Sequence, residues 1–420
     1  MSISLTSVFS FLFLLISLSH QSGYLSIEIA SFAFWIFIYM LFLFFILLLK
    51  PSYHNIEDKR YIWPILLYVL WNMISIIRGL FTAENYWEWK ILVDTSLMLL
   101  IPLSIYIFTS KSLVQQILKF WFTFGLIAFF IFLPFVIHSY FYGRYLNPIL
   151  LLLLLLPLIS FRWKVITLFF TLFVLSAGFD SRSDLIRYTV AMSFGMFYYF
   201  RALLSHMIFK ISHAILMTLP IILLILAVTN TFNIFKMNSY IEGDYSIMSK
   251  DSGKLKKSSL TSDTRTFIYV ENIKSAINND YVLIGRTPAN GYDSVYFGNH
   301  LKFELGTGKM QRFSSEVSIL NIFTWNGLVG VFLYFLVFLV ATYLAIYRSN
   351  SFHMKIIGLF VAFRWSYAFV EDFTWFDIQY ILLWILIAMC YSTEFRKMND
   401  QEFKEWVTGL LPNFVYGKKY

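Results

Sequence analysis

The feature that most constrains this chain is the recurrence of apolar segments along almost its whole length. They cover residues 5–19, 27–49, 61–77, 91–108, 117–137, 145–160, 164–177, 185–200, 211–229, 319–347, 356–370 and 376–391. A helix needs about 20 apolar residues to cross the hydrocarbon core of a bilayer. Several of these segments fall short, so their end turns are expected at the interface. Hydrophobic residues make up 59% of the chain and charged residues 14%, against about 45–50% and 25% in soluble globular proteins. One water-soluble core cannot hide that much apolar surface, so the bilayer is the solvent for much of it. The expected fold class is an all-α integral membrane protein with about 12 transmembrane helices and one large outer loop. Leu150–Leu156 is the most lipid-like stretch. Val8–Leu18 has the length of a secretory apolar region, but no charged segment precedes it and no small-residue cleavage site follows, so it reads as a short first helix.

Lys and Arg in short loops set orientation, because cytoplasmic loops carry their excess. With the C-terminal tail inside (Arg396, Lys397, Lys404, Lys418, Lys419), alternation puts Lys50, Lys59, Arg60, Lys111, Arg162, Lys164, Arg201, Lys210, Arg348 and Lys355 on the same side. Both termini are then cytoplasmic. The chain divides into transmembrane helices 1–9 over 1–229, a large outer loop over 230–315, helices 10–12 over 316–395 and a cytoplasmic tail over 396–420. Within the loop, Lys250–Lys257 reads as a flexible surface turn. Asp263 is placed to cap a helix running from Thr264 to about Asn278, with Phe267, Val270, Ile273 and Ile277 along one face. A loop of 86 residues is too long for a connector, and loops on rigid scaffolds carry function. Nine helices before it and three after mark no repeat boundary, which argues against an inverted-repeat transporter.

The formal net charge is +9. With no nucleic-acid module in the sequence, that balance reflects lipid-facing Lys and Arg. No nucleotide loop, zinc motif or nucleophile elbow occurs, the histidines lack metal spacing, and Cys390 is the only cysteine; neither cofactor nor metal is expected. What stands out is arginine on the outer side, where the positive-inside bias disfavours it: Arg78, Arg144, Arg182, Arg187, Arg265, Arg286 and Arg312. A guanidinium stays charged and offers a planar fork of donors to phosphate oxygens. Asp184 lies three residues before Arg187, so a plain ion pair is the competing reading there. Outer carboxylates include Glu84, Glu88, Glu304, Glu316, Glu371 and Asp372. Glu316 opens a long apolar helix, as an acid–base group or as a favourable charge at a helix start capped by Ser314 or Ser315. Glu371 and Asp372 form a like-charge pair that would raise one proton affinity. Tyr86, Trp87, Trp89, Tyr140, Phe141, Tyr142, Tyr145 and Trp375 suit an interfacial belt and are compatible with stacking of sugars.

Four stretches together resemble the O-antigen polymerase and O-antigen ligase superfamily of bacterial inner-membrane proteins. They are GRYLNP at 143–148, SRSDLIR at 181–187, TRTFIYVENIKSAINNDYVLIGR at 264–286, and SSEVSILNIFTWNGLVGVFLYF at 314–335. The chain departs from the pattern at Gly285–Arg286, where the family has Gly-x-Gly, and at Phe313–Ser315, where ligases carry a His. The missing His favours polymerase over ligase. The resemblance implies a C-type glycosyltransferase-like fold whose large loop is periplasmic. It implies metal-independent polymerisation of undecaprenyl-pyrophosphate-linked oligosaccharide repeat units into a surface polysaccharide, O-antigen or capsule. Arg144, Arg182, Arg265 and Arg286 would bind the pyrophosphate, with Arg187 and Arg312 as additional ligands. Glu316, then Glu371, would take the acceptor's proton. Membrane lipids and a chain-length regulator are the other implied partners, and no nucleic acid is. The alternatives are a ligase transferring glycan to lipid A-core, and a lipid-linked oligosaccharide flippase. A flippase predicts ionisable groups deep in helices, where only Glu28, Asp94 and Arg364 qualify.

Overall fold

The computed structural model describes residues 4–53, 59–177, 181–240, 246–251, 254–259, 263, 265–304 and 306–412. It is a predominantly helical protein with seven helical stretches long and apolar enough to cross a membrane. The first five come from α1 (Leu5–Ser19), α2 (Phe32–Tyr53), α3 (Trp63–Leu80), α4 (Tyr86–Leu99, extended by short turns to Phe108) and α5 (Lys111–Phe120, extended to Phe135). Their starts follow from side-chain chemistry: Ser4 caps α1 and Asn85 caps α4, each accepting from backbone N–H groups that have no partner within the helix.

Next come the short helices α6 (Tyr140–Tyr145) and α7 (Ile149–Leu154), then α8 (Phe161–Ala177), α9 (Arg182–Met196) and α10 (His206–Val228). The lipid-like run at Leu150–Leu156 proves to be interior. Leu150 to Leu155 are at most 1% exposed, enclosed by α8, α9 and neighbouring segments. Pro148 and Pro157 flank α7, and each lacks the N–H that a continuous helix would use. Lipid contact falls instead to helices such as α10, of whose apolar stretch only 17% is buried.

The segment after α10, the expected outer segment, holds a two-stranded antiparallel hairpin, β1 (Ser246–Asp251) with β2 (Lys254–Ser259), paired from Ser246↔Ser259 to Asp251↔Lys254. Of the stretch Lys250–Lys257, residues 250–251 and 254–257 lie in these strands, and the turn expected at 252–253 lies outside the described residues. Helix α11 (Thr266–Asn278) starts as expected beside Asp263, whose Oδ1 accepts from the Arg265 and Thr266 N–H groups at 3.1 and 2.9 Å; Thr264 lies outside the described residues. The face opposite the expected apolar row is the one turned inward. Ile268, Asn272, Ser275 and Ala276 are buried, while Val270, Ile273 and Ile277 are exposed. The polar face is satisfied inside: Asn272 Nδ2 donates to Thr324 Oγ1 at 2.8 Å, and Ser275 Oγ accepts from Tyr281 Oη and the Asp293 N–H. The strand pair β3 (Tyr292–Asp293) and β4 (Gln311–Arg312) brackets α12 (Val295–Glu304).

The last helices are α13 (Ser318–Tyr347), α14 (Phe352–Tyr367), α15 (Ile378–Tyr391) and the amphipathic α16 (Asp400–Leu410). Helix α13 is broken at Gly327 (φ 65°, ψ −169°), a conformation essentially confined to glycine. Into that break fits Gly285 (φ 73°). The Arg286 N–H donates to Thr324 O (2.7 Å), the Leu328 N–H to Val282 O (2.9 Å) and the Val329 N–H to Leu283 O (3.1 Å). Arg78 of α3 clasps the same turn through the carbonyls of Ile284 and Gly285 at 2.7 and 2.9 Å.

The bundle has two distinct ends. At one, residues 20–24, 140–144, 181–187, 265–316 and 371–377 converge. At the other, α16 docks on α5 through Gln115 Nε2 to Trp406 O (2.7 Å) and Trp406 Nε1 to Lys111 O (2.9 Å), near Asn350, Arg396 and Asp400.

Candidate functional site

The four motif stretches meet as two interlocked pairs. In the first, the Gly143 Cα faces the Asp184 carboxylate so closely that an added Cβ would lie 2.2 Å from its carbon. Asp184 accepts from Arg187 and, at 2.7 Å, from Ser181 Oγ. Arg187 donates onward to Gln379 and to Asn147 Oδ1, and Tyr188 Oη to Gly143 O at 3.3 Å. Arg187 and Asp184 are almost wholly buried. A buried guanidinium held on both sides is a structural post, so the ion-pair reading of Arg187 holds. The post fixes α6 against α9 and delivers Arg144 and Arg182 to a common chamber.

The second pair is α11 with the start of α13, joined along the Gly285–Gly327 seam. It presents Arg265 and Glu316. Arg265 donates to Glu316, to Val370 O at 3.3 Å, and pairs with Glu371 at 3.5 Å. Arg312 Nη2 donates to the other Glu316 oxygen at 3.0 Å, with its guanidinium 4.0 Å from the centre of the Phe297 ring. Tyr269 Oη to Phe369 O, 2.6 Å, seats α11 on the turn between α14 and α15. Glu316 precedes the helix and is no cap residue: the N-cap of α13 is Val317, and Ser315 is engaged with Asn321 and Val317.

These groups line a polar chamber of about 520 Å³ together with His20, Tyr24, Tyr140, Arg144, Arg182, Asp372 and Trp375. Of the residues singled out in the sequence, Arg144, Arg182, Arg265, Arg312, Glu316 and Glu371 come together there. Arg286 does not line it; it is spent within the outer segment on Asp293 Oδ1 (2.7 Å) and Gly291 O (2.8 Å). Among the described residues Arg144 has no carboxylate within ion-pair distance, and its guanidinium lies 5.5 Å from the Tyr24 ring centre. Burial pushes the Glu371 carboxyl above the ordinary range, against the pull of the Arg265, Arg144 and Arg187 guanidiniums. Burial likewise raises Asp372, opposed by hydrogen bonds from Thr374.

The chamber shares Arg182, Ser183, Arg265 and Glu371 with a second, apolar groove of about 860 Å³. Leu216, Leu219 and Leu223 of α10 form one side, Val270 and Ile273 of α11 another. The apolar face of α11 is thus exposed because it walls this groove. The α10 side of the groove belongs to a helix that the rest of the protein covers only sparsely. Sequence reasoning missed His20, Tyr24 and the Asn147–Arg187–Gln379 link, whose partners lie far apart in the chain and share no local pattern. An arginine-lined polar chamber joined to an apolar groove can hold an amphiphile whose headgroup is anionic. No family model, curated protein or solved structure matches the chain.

Proposed function

We propose that this protein is a metal-independent glycosyltransferase that polymerises undecaprenyl-pyrophosphate-linked oligosaccharide repeat units into a surface polysaccharide. In this reading it works on the periplasmic face of the bacterial inner membrane. The chain crosses that membrane twelve times, the seven long stretches being joined by shorter helices such as Ile378–Tyr391, and both termini are cytoplasmic. The observation that carries the reading is the continuity of the arginine chamber with the apolar groove. A polyprenyl tail lies in the groove, and its diphosphate sits at the junction beside Arg182 and Arg265, with Arg144 able to turn onto it.

In the transfer step an acceptor hydroxyl oxygen bonds to the donor's anomeric carbon. The bond from that carbon to the diphosphate oxygen breaks, and the electron pair leaves with the diphosphate. Guanidiniums stabilise the charge that grows there. Both Glu316 oxygens are engaged by Arg265 and Arg312, so Glu316 organises the arginines. Glu371, with one ion pair and burial raising its proton affinity, receives the hydroxyl proton.

The test is complementation of a deletion strain and reconstitution with lipid-linked single repeats. Arg144→Lys and Arg182→Lys keep the charge and lose the fork, and each should shorten the polymer ladder sharply at normal expression. Wild-type ladders from both would remove the diphosphate role, and a deletion strain that still makes polymer would remove the function.

A further inference from the structure

The chamber's lining includes a continuous run of rings that take no part in the groove. His20 stacks on Trp375 (centroids 4.6 Å apart, planes at 20°), Tyr24 meets His20 edge-on at 6.4 Å, and Tyr140 follows at 6.1 Å. Tyr140 remains 40% exposed. Asp372 lines the same chamber. Its Oδ1 is saturated by the Thr374 N–H (2.9 Å), Thr374 Oγ1 (2.6 Å) and Ser318 Oγ (3.2 Å), whereas its Oδ2 has no hydrogen-bond partner although the residue is only 9% exposed. A buried carboxylate oxygen without a donor calls for one.

We infer that the Tyr24–Tyr140–Trp375 wall and Asp372 form a saccharide subsite, seating one sugar ring of the glycan in the part of the chamber whose lining is not shared with the groove. The C–H face of a pyranose carries partial positive charge and complements the negative face of an aromatic ring. A carboxylate takes short, strong hydrogen bonds from hydroxyl groups, and Asp372, which lines the same chamber as the rings, keeps one enclosed oxygen, Oδ2, without a partner for such a bond. The placement completes an amphiphile's path: apolar groove, guanidinium junction, sugar wall. The inference rests on the glycosyl-transfer reading for the identity of its ligand, but it makes a separate claim about which residues touch sugar.

The test uses the full chain in lipid nanodiscs and two probes measured independently. One is undecaprenyl pyrophosphate. The other is the free oligosaccharide released by mild acid from lipid-linked repeats of the deletion strain. Tyr140→Leu and Asp372→Asn should each weaken oligosaccharide binding about tenfold or more, leaving undecaprenyl pyrophosphate binding within about twofold as proof of an intact chamber. Tyr140→Phe keeps the ring and should bind as wild type. Asp372→Asn retains an oxygen for Ser318 and Thr374 and replaces only the unpartnered one, so it separates sugar contact from support of the turn. Oligosaccharide binding unchanged in both variants overturns the inference, as does no oligosaccharide binding by a wild-type chain that binds undecaprenyl pyrophosphate. Loss of oligosaccharide binding in the variants of a chain that binds no undecaprenyl pyrophosphate supports the sugar subsite and sinks the lipid-linked donor instead.

Discussion

Replacing Gly327 by alanine probes the joint between the outer segment and the helix bundle. At φ 65° and ψ −169° a side chain is strained whatever the space around it, at roughly 1–3 kcal/mol. Here there is no space either. The new Cβ would lie 2.3 Å from Leu283 O and 2.4 Å from Gly285 N, both backbone atoms. Relief requires the seam to part, which gives up the three hydrogen bonds to Thr324, Val282 and Leu283 carbonyls, each worth about 1 kcal/mol net. Because partial relief trades one term against the other, the expected destabilisation is about 3–5 kcal/mol. By the size scaling of thermal unfolding that is a drop of roughly 3–6 °C in detergent for a chain of this length. Gly23→Ala is the control, since an added Cβ there meets nothing within 4 Å. Scanning fluorimetry on matched preparations decides between them. If Gly327→Ala melts within about 1 °C of Gly23→Ala, the seam parts without cost and does not hold Arg265 and Glu316 in register.

Two further perturbations address buried charge. Lys309 bonds Glu84 at 2.8 Å and the fully buried Glu88 at 2.6 Å. Lys309→Ala strands Glu88 and should cost about 2–4 kcal/mol, which Glu88→Gln in the same chain largely restores in a double-mutant cycle by thermal melting; additive losses would show that the pair is not coupled. Burial raises the Asp377 carboxyl from 3.8 to about 6. The folded state then holds the proton more tightly, so this stabilisation is fully present below 3.8 and is lost as pH rises through about 6, on the order of 3 kcal/mol. Asp377→Asn keeps an oxygen to cap α15 and should flatten that part of the melting-temperature profile between about pH 4 and pH 7; an unchanged slope refutes it.

Apolar periodicity made the membrane class and the α11 start legible, because both depend on local composition and one capping carboxylate. It misjudged Leu150–Leu156 because lipid tails and a protein interior are equally apolar, and only packing tells them apart. It grouped Phe267, Val270, Ile273 and Ile277 on one face of α11 and left the buried face unassigned, because Asn272 and Ser275 find partners in α13, Tyr281 and Asp293 that no local pattern reveals. At the site, unusual outer arginines pointed to Arg144, Arg182, Arg265 and Arg312. Arg286 carried the same signal yet serves Asp293. Residue type announces a strong donor and is silent about which acceptor claims it.

The break in α13 has a consequence for the membrane itself. Gly327 lies nine residues beyond the first residue of the helix, roughly 13 Å along its axis, and the outer segment reaches that far to meet it. There Leu283 and Ile284 are exposed at 65% and 45% close to Leu328 and Phe332 of α13, themselves exposed at 47% and 58%. On this flank the turn therefore presents apolar side chains alongside the helix. A bilayer meeting that flank is expected to take up the turn together with the helix rather than leave those side chains in water.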